Sequence, residues 1–140
     1  MFKRILLGVD GSDHALHAAR TAAELARTMK SEILRIVVAY ESIQPYLGEP
    51  NLQTVIDARL KEAQAVLQKA VDAVGDISAE IHTELIEGDA AEAILEVAAT
   101  RGSDVIVMGS RGLGRLAGLV LGSTSQKVVS HAACPVLIVR

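Results

Sequence analysis

Residues 105–125 read VIVMGSRGLGRLAGLVLGSTS, and this stretch decides the class of fold. It begins with a short apolar run, continues with five glycines within fourteen residues, and ends in hydroxyl residues that can begin a helix. A buried strand, a glycine-rich turn and a helix form the basic unit of a parallel α/β sheet. The stretch therefore predicts one such unit, with Gly109–Ser125 as its connecting loop, called the glycine loop below.

Working outward, the same alternation fills the rest of the chain. Short β-branched runs predict buried parallel strands at Arg4–Val9, Ile33–Ala39, Ile81–Ile86, Val105–Met108 and Val136–Val139. Stretches with helical period lie between them, at Ser12–Met29, Leu52–Val74, Asp89–Thr100 and Thr124–His131. Because a helix precedes each later strand, the strands should be parallel, with helices on both faces of an open sheet. We expect one α/β domain over residues 1–140.

Local signals refine the ends of these elements. Gly75 is placed to stop the second helix. Asp89-x-x-Glu92 and Ser123-x-x-Gln126 both have the form of a capping box. Tyr40–Asn51 contains two prolines and a glycine, so we expect a flap there rather than a central strand.

Composition limits the possible functions. The chain has 140 residues and a single cysteine, so an internal disulfide is excluded. It contains no apolar run of about 18 residues and no signal-peptide pattern, which predicts a cytoplasmic protein. A net charge of −3 and three aromatic residues argue against a nucleic-acid binder.

The charge is unevenly distributed. Residues 105–140 contain no Asp or Glu and carry +4, whereas residues 1–104 carry −7. Glycines allow backbone N–H groups to approach an anion, and the Gly122-Ser123-Thr124-Ser125 sequence offers further donors at the start of a helix. The two ends of the glycine loop together predict a phosphate site, with Arg111 as a possible phosphate partner and Arg115 as a weaker one.

Two known phosphate motifs do not account for this loop. A P-loop needs a glycine-lysine pair, and the chain has none. Gly112-x-Gly114-x-x-Ala117 matches the dinucleotide fingerprint, but it follows the fourth strand and has no acidic residue downstream to hold a ribose.

A third pattern fits without a gap. Gly109-x-x-Gly112, nine residues, then Gly122-Ser123 resembles the ATP-binding signature of the universal stress protein family, and the resemblance extends over the whole chain, from KRILLGVDGS to CPVLIV. The resemblance implies a five-stranded parallel sheet of order 3-2-1-4-5 that binds ATP and forms a homodimer through its last strand, Val136–Val139. The chain departs from the family pattern at Ala90, where a proline is common.

The resemblance also implies a site. Val9 and Asp10 would lie near the adenosine, Val38 would contact adenine and Met108 would lie beside it. The backbone at Gly109 and Gly112 would pass the ribose and phosphates. The β- and γ-phosphates would be held by Gly122, Ser123, Thr124 and Ser125. Magnesium would be held by the ATP phosphates, and the base by aliphatic packing.

Several other polar residues have simpler explanations. We expect His14 and His17 to be a solvent-exposed pair, His82 an exposed strand position and His131 a cation that suits the end of a helix. Cys134 should be an inert buried thiol. Asp10 either faces the site or only orders its own turn.

Three functions are compatible with these residues. The first is a regulatory stress-response module whose nucleotide state or dimerisation is sensed by a partner protein. The second is a weak ATPase or autophosphorylating enzyme that uses the same site. The third is a structural dimer with a vestigial site.

Overall fold

The structure is a computed structural model that describes residues 1–42, 51–110 and 121–140. Its elements in chain order are β1 (Arg4–Val9), α1 (Asp13–Met29), β2 (Ile33–Tyr40), α2 (Asn51–Val74), β3 (Glu80–Glu87), α3 (Ala90–Arg101), β4 (Val105–Gly109), α4 (Ser123–His131) and β5 (Val136–Val139). All the predicted strands and helices are present, with ends within about one residue of the sequence-based bounds. Most of the predicted flap, residues 43–50, lies outside the described residues.

The strands form a single parallel sheet in the order β3-β2-β1-β4-β5, which confirms the predicted fold. β1 and β4 are neighbours in this sheet. The other side of β1 pairs with β2, and the other side of β4 pairs with β5. The order therefore reverses between β1 and β4. In open α/β sheets the ligand crevice lies at such a reversal, beyond the carboxyl ends of the strands, and this place is called the β1–β4 crevice below. The register places Val9 opposite Val38, and Gly8 opposite Met108, around this point.

Helices cover both faces of the sheet. Helices α1 and α2 pack over one face, where alanines of α1 such as Ala18, Ala19 and Ala22 are fully buried. Side chains as small as alanine allow a helix axis to approach the sheet closely. Helices α3 and α4 pack over the opposite face, against residues such as Leu6 and Ile106.

The helix ends follow the sequence signals with one exception. Ser12 caps α1 and Asp89 caps α3, each with its side chain, and Gly75 ends α2 with φ +68°. The predicted capping box at Ser123 is wrong. Gly122 is the N-cap residue of α4 and Ser123 is already its first helical residue, while the Gln126 side-chain amide donates to the Leu121 carbonyl.

None of the helices in the described ranges is both long and apolar enough to cross a lipid bilayer.

Candidate functional site

The site lies where β1 and β4 end beside each other. Val9 closes β1 and Val38 lies opposite it on β2, and both side chains are buried. Met108 is also buried, on β4 next to Gly8. The register thus brings the three apolar residues predicted to lie near an adenosine to the carboxyl ends of three adjacent strands.

Asp10 is exposed at the end of β1, in the turn before α1. Its Oδ1 accepts a hydrogen bond of 3.0 Å from the Ser12 backbone N–H. Gly11, between them, has φ +89°, a conformation that favours glycine. Asp10 therefore orders its own turn with one carboxylate oxygen, while its position at the strand end places it beside the crevice.

The two ends of the glycine loop meet at Ser110, a residue that sequence reasoning did not select. The Ser110 carbonyl oxygen accepts from the Gly122 N–H at 2.7 Å and from the Ser125 hydroxyl at 2.8 Å. The Ser110 N–H donates to the Val139 carbonyl at 2.8 Å, and its Oγ shares a hydrogen bond of 2.8 Å with His14 Nδ1. We call these four hydrogen bonds the Ser110 junction.

The junction also uses donors that had been assigned to a phosphate. The Gly122 N–H and the Ser125 hydroxyl both point to the Ser110 carbonyl, and the Ser125 hydroxyl also bonds the Gly122 carbonyl at 3.0 Å. Ser125 is 2% exposed. In this arrangement Gly122 and Ser125 fasten the loop. The backbone N–H groups of the first helical turn, at Ser123, Thr124 and Ser125, have no partner within the helix.

Gly109 has a packing role that its assignment to the ligand did not anticipate. A Cβ added there would lie 2.8 Å from the Cβ of His14 and 2.9 Å from its backbone carbonyl carbon. Real Cβ atoms do not approach other atoms that closely. The absence of a side chain at Gly109 therefore allows the first turn of α1 to lie directly against the end of β4.

In the folded structure, acidic side chains from α3 neutralise part of the positive charge that the sequence places near the glycine loop. Lys127 Nζ lies 3.3 Å from Asp89 Oδ2 and 3.3 Å from Glu92 Oε1 of α3. These carboxylates raise the pKa of Lys127. The pKa of Asp89 is lowered, chiefly by the Glu92 N–H and then by Lys127. Arg111, Gly112 and Arg115 lie outside the described residues.

The histidine predictions are confirmed only in part. His17 is exposed, and its Nδ1 lies 3.1 Å from the Arg140 carbonyl oxygen. His14 is half-buried and bonded to Ser110, so the expected exposed pair is wrong for this residue. His131 ends α4, as expected, with its Nδ1 2.9 Å from the Lys127 carbonyl oxygen. His82 lies 3.1 Å from Glu80 at a half-exposed position.

Cys134 is only partly buried, between α4 and β5, rather than fully buried as predicted. Burial nevertheless raises the pKa of its thiol, followed by a smaller effect of Asp104. A raised thiol pKa reduces the thiolate fraction at neutral pH, in agreement with an inert thiol.

The residues present fit an adenine nucleotide. Val9, Val38 and Met108 make the strand ends apolar, as a site for a base requires, and the N-terminal turn of α4 offers amide donors and a positive dipole end to a phosphate. Within residues 1–42, 51–110 and 121–140, no group of three or more His, Cys, Asp or Glu side chains could hold a metal ion.

Comparisons with known proteins agree with this architecture. A universal stress protein of Thermus aquaticus is 46% identical over 140 residues, the full length of both chains. The universal stress protein UspA of Lactobacillus plantarum superposes with a TM-score of 0.86 at 28% identity, covering 99% of this chain and 98% of its own. A universal stress protein solved in complex with cAMP has a TM-score of 0.66 at 28% identity, covering 97% and 95%. The model of the universal stress protein family matches residues 1–140, and the chain belongs to that family.

Proposed function

We propose that this chain is a small cytoplasmic stress-response module that binds ATP, and that its nucleotide state or its dimerisation is sensed by a partner protein. The observation that carries the proposal is the Ser110 junction, because it brings the two ends of the glycine loop together beside the crevice between β1 and β4. The relative solved with cAMP supports an adenine nucleotide as the ligand class.

The base would lie beyond the carboxyl ends of β1 and β2, next to Val9 and Val38, with Met108 nearby at the end of β4. Van der Waals contact and backbone hydrogen bonds would hold it, since no aromatic side chain was predicted for this place. Asp10, exposed at the end of β1, has a carboxylate oxygen beyond the one that orders its turn, and this oxygen could accept a hydrogen bond from the adenosine.

The phosphates would lie against the N-terminal turn of α4. Ser123 is exposed and Thr124 is half-exposed there, so their hydroxyls and N–H groups are accessible to an anion. The partial positive charge of the helix end adds to this attraction. Arg111 and Gly112 would complete the phosphate contacts from the first half of the loop. Magnesium, when bound, would neutralise phosphate charge and be held by the phosphates themselves.

Self-association would involve the edge strand β5. Among the strands that the structure describes, β5 pairs only with β4, and its residue Leu137 is 38% exposed. An apolar strand at a sheet edge is prone to pair with another strand. We propose a homodimer through β5, whose geometry a regulated protein could read.

A weak ATPase or autophosphorylating activity is the alternative. Among the residues that the structure describes, Asp10 is the carboxylate at the β1–β4 crevice. Phosphoryl transfer needs a group that orients the attacking nucleophile, and Asp10 would be that group. One of its oxygens is already bonded to the Ser12 N–H, which favours a positioning role over a catalytic one. ATP turnover that Asp10→Asn abolishes without loss of binding would establish the alternative.

The proposal is tested by identifying the ligand and then measuring its affinity. Freshly purified protein is denatured and any released nucleotide is identified by mass. Nucleotide-free protein is then titrated calorimetrically with Mg-ATP, AMP, cAMP and Mg-GTP. We expect adenine nucleotides to bind and GTP to bind more weakly. Absence of heat with every nucleotide, together with no released nucleotide, would reject the proposal and favour a vestigial site.

A further inference from the structure

His14 is an imidazole at the start of α1 whose hydrogen bond reaches a different element of the fold. Its Nδ1 lies 2.8 Å from the Oγ of Ser110, just beyond β4, 96 positions later in the chain. Ser110 is 1% exposed, so its hydroxyl depends on a protein partner. His14 provides that partner.

The chain makes room for this contact. Gly109 precedes Ser110, and a side chain there would overlap the Cβ and the backbone of His14. The end of β4 is thus shaped so that the first turn of α1 can come within hydrogen-bonding distance. This close packing is a second observation, independent of the hydrogen bond, that fixes His14 against Ser110.

The consequence reaches both ends of the glycine loop. The two peptide groups that flank the Ser110 Cα form hydrogen bonds to three residues: Val139, Gly122 and Ser125. The bond to His14 holds the side chain on the same Cα, so it limits how Ser110 can turn. A change in the orientation of Ser110 would move its carbonyl oxygen away from the Gly122 N–H.

We infer that His14 is a positioning residue of the candidate site: through Ser110 it holds the two ends of the glycine loop in the arrangement that accepts the nucleotide phosphates. This inference rests on the proposed function for its ligand. The positioning itself does not, because the hydrogen bond between Gly122 and Ser110 can be followed without any nucleotide.

The chain offers a matched control one turn along α1. His17 also bonds a residue that is distant in the chain, with its Nδ1 3.1 Å from the Arg140 carbonyl oxygen, but it does not take part in the Ser110 junction. Replacing His17 with alanine changes the same residue type on the same helix and leaves the junction in place.

The first measurement is amide hydrogen exchange at Gly122 in the nucleotide-free protein. In His14→Ala we expect the Gly122 amide to exchange about tenfold faster, since losing a partner of a buried hydroxyl weakens the local structure by that order. His14→Asn should restore most of the protection, because an Asn side-chain amide places a hydrogen-bonding atom where Nδ1 stands. His17→Ala should leave Gly122 unchanged.

The second measurement is the dissociation constant for Mg-ATP. His14→Ala should raise it about tenfold and Ser110→Ala should do the same, with little further loss in the double variant, because the two side chains act through one bond. Adenosine should lose much less affinity than ATP. If His14→Ala proves unstable, Ser110→Ala tests the role on its own, because it removes the same hydrogen bond and leaves the histidine in place.

The outcomes separate the two claims. Wild-type exchange at Gly122 in both His14→Ala and Ser110→Ala, or the same acceleration in His17→Ala, would overturn the positioning role. Equal losses for ATP and adenosine would also overturn it, because His14 would then act on the fold as a whole. If the wild-type protein bound no nucleotide, the proposed function would fail while the exchange measurement still decided the role of His14.

Discussion

Gly109 is the position at which one added methyl group should disturb this protein most clearly. Gly109 does not have a positive φ, so its backbone conformation is one that alanine can adopt. The obstacle is space: its Cβ would lie 2.8 Å from the His14 Cβ and 2.9 Å from the His14 carbonyl carbon. Backbone atoms of a helix cannot swing aside as the end of a side chain can.

The expected cost of Gly109→Ala follows from two opposing effects. Overpacking of this kind costs about 1–3 kcal/mol, and the smaller conformational freedom of alanine in the unfolded chain returns about 0.4–1 kcal/mol. We expect a net loss of about 1–2 kcal/mol in the free energy of unfolding. For a chain of this length the melting temperature should fall by roughly 3–7 °C.

Gly8→Ala is the matched control. Its Cβ would come even closer to another atom, 2.6 Å from Ile94 Cδ1, but that atom is the terminal methyl of a side chain that can rotate. We therefore expect a smaller loss of stability than at Gly109, although the overlap distance is shorter. Urea unfolding of both variants, compared at unchanged m value, measures the difference. A wild-type midpoint for Gly109→Ala, or a greater loss at Gly8, would refute the packing argument.

Three other predictions concern the loop and its surroundings. Gly122 has φ −74° and ψ 168°, which any residue can adopt, so Gly122→Val should fold normally. We expect this variant to weaken Mg-ATP binding at least about tenfold, or about 1.4 kcal/mol, in a calorimetric titration. An unchanged affinity would show that the loop is not part of the site. Arg111→Ala should weaken ATP more than adenosine, whereas equal losses in the same titration would reject a phosphate role. The pKa of Asp89 is lowered from 3.8 by folding, so its contribution to stability is present above pH 3.8 and is lost as the pH falls through the lowered value. Asp89→Ala should therefore lower the free energy of unfolding, measured in urea, by about 0.5–2 kcal/mol at pH 7, as loss of a helix cap does, and by much less in acid. An equal loss at both pH values would contradict the lowered pKa.

The fold was predictable because its signals are local and repeated. Runs such as Ile33–Ala39 are too apolar and β-branched for an exposed segment, and the helices between them have a clear period. These signals gave the elements and the parallel direction. The order 3-2-1-4-5 required the resemblance to a known family, because periodicity does not say which strands are neighbours.

The two ends of the glycine loop were predictable from the sequence, whereas the hydrogen bonds between them were not. β4 ends and α4 begins within about one residue of the predicted positions. The spacing from Gly109 to Gly122 could not show that the Gly122 N–H and the Ser125 hydroxyl are used within the protein. Ser110 was missed because a serine after a strand has many uses. The available signal was a polar residue placed one glycine beyond the buried run Val105–Met108.

The distribution of charged residues along the sequence did not predict which of them lie together in the folded protein. The stretch that contains Lys127 has no acidic residue, yet Asp89 and Glu92 reach Lys127 from α3. His14 was misjudged for a similar reason, since its partner lies 96 positions away and the packing space at Gly109 cannot be seen in sequence. Both features depend on contacts between distant segments.

The most direct test of the account is a crystal structure of the protein grown with Mg-ATP. The account predicts phosphate oxygens within hydrogen-bonding distance of the Ser123 and Thr124 amides, adenine against Val9 and Val38, and the Ser110 carbonyl still bonded to Gly122. Triphosphate density elsewhere on the molecule, or a saturated crystal with nothing at the β1–β4 crevice, would contradict it.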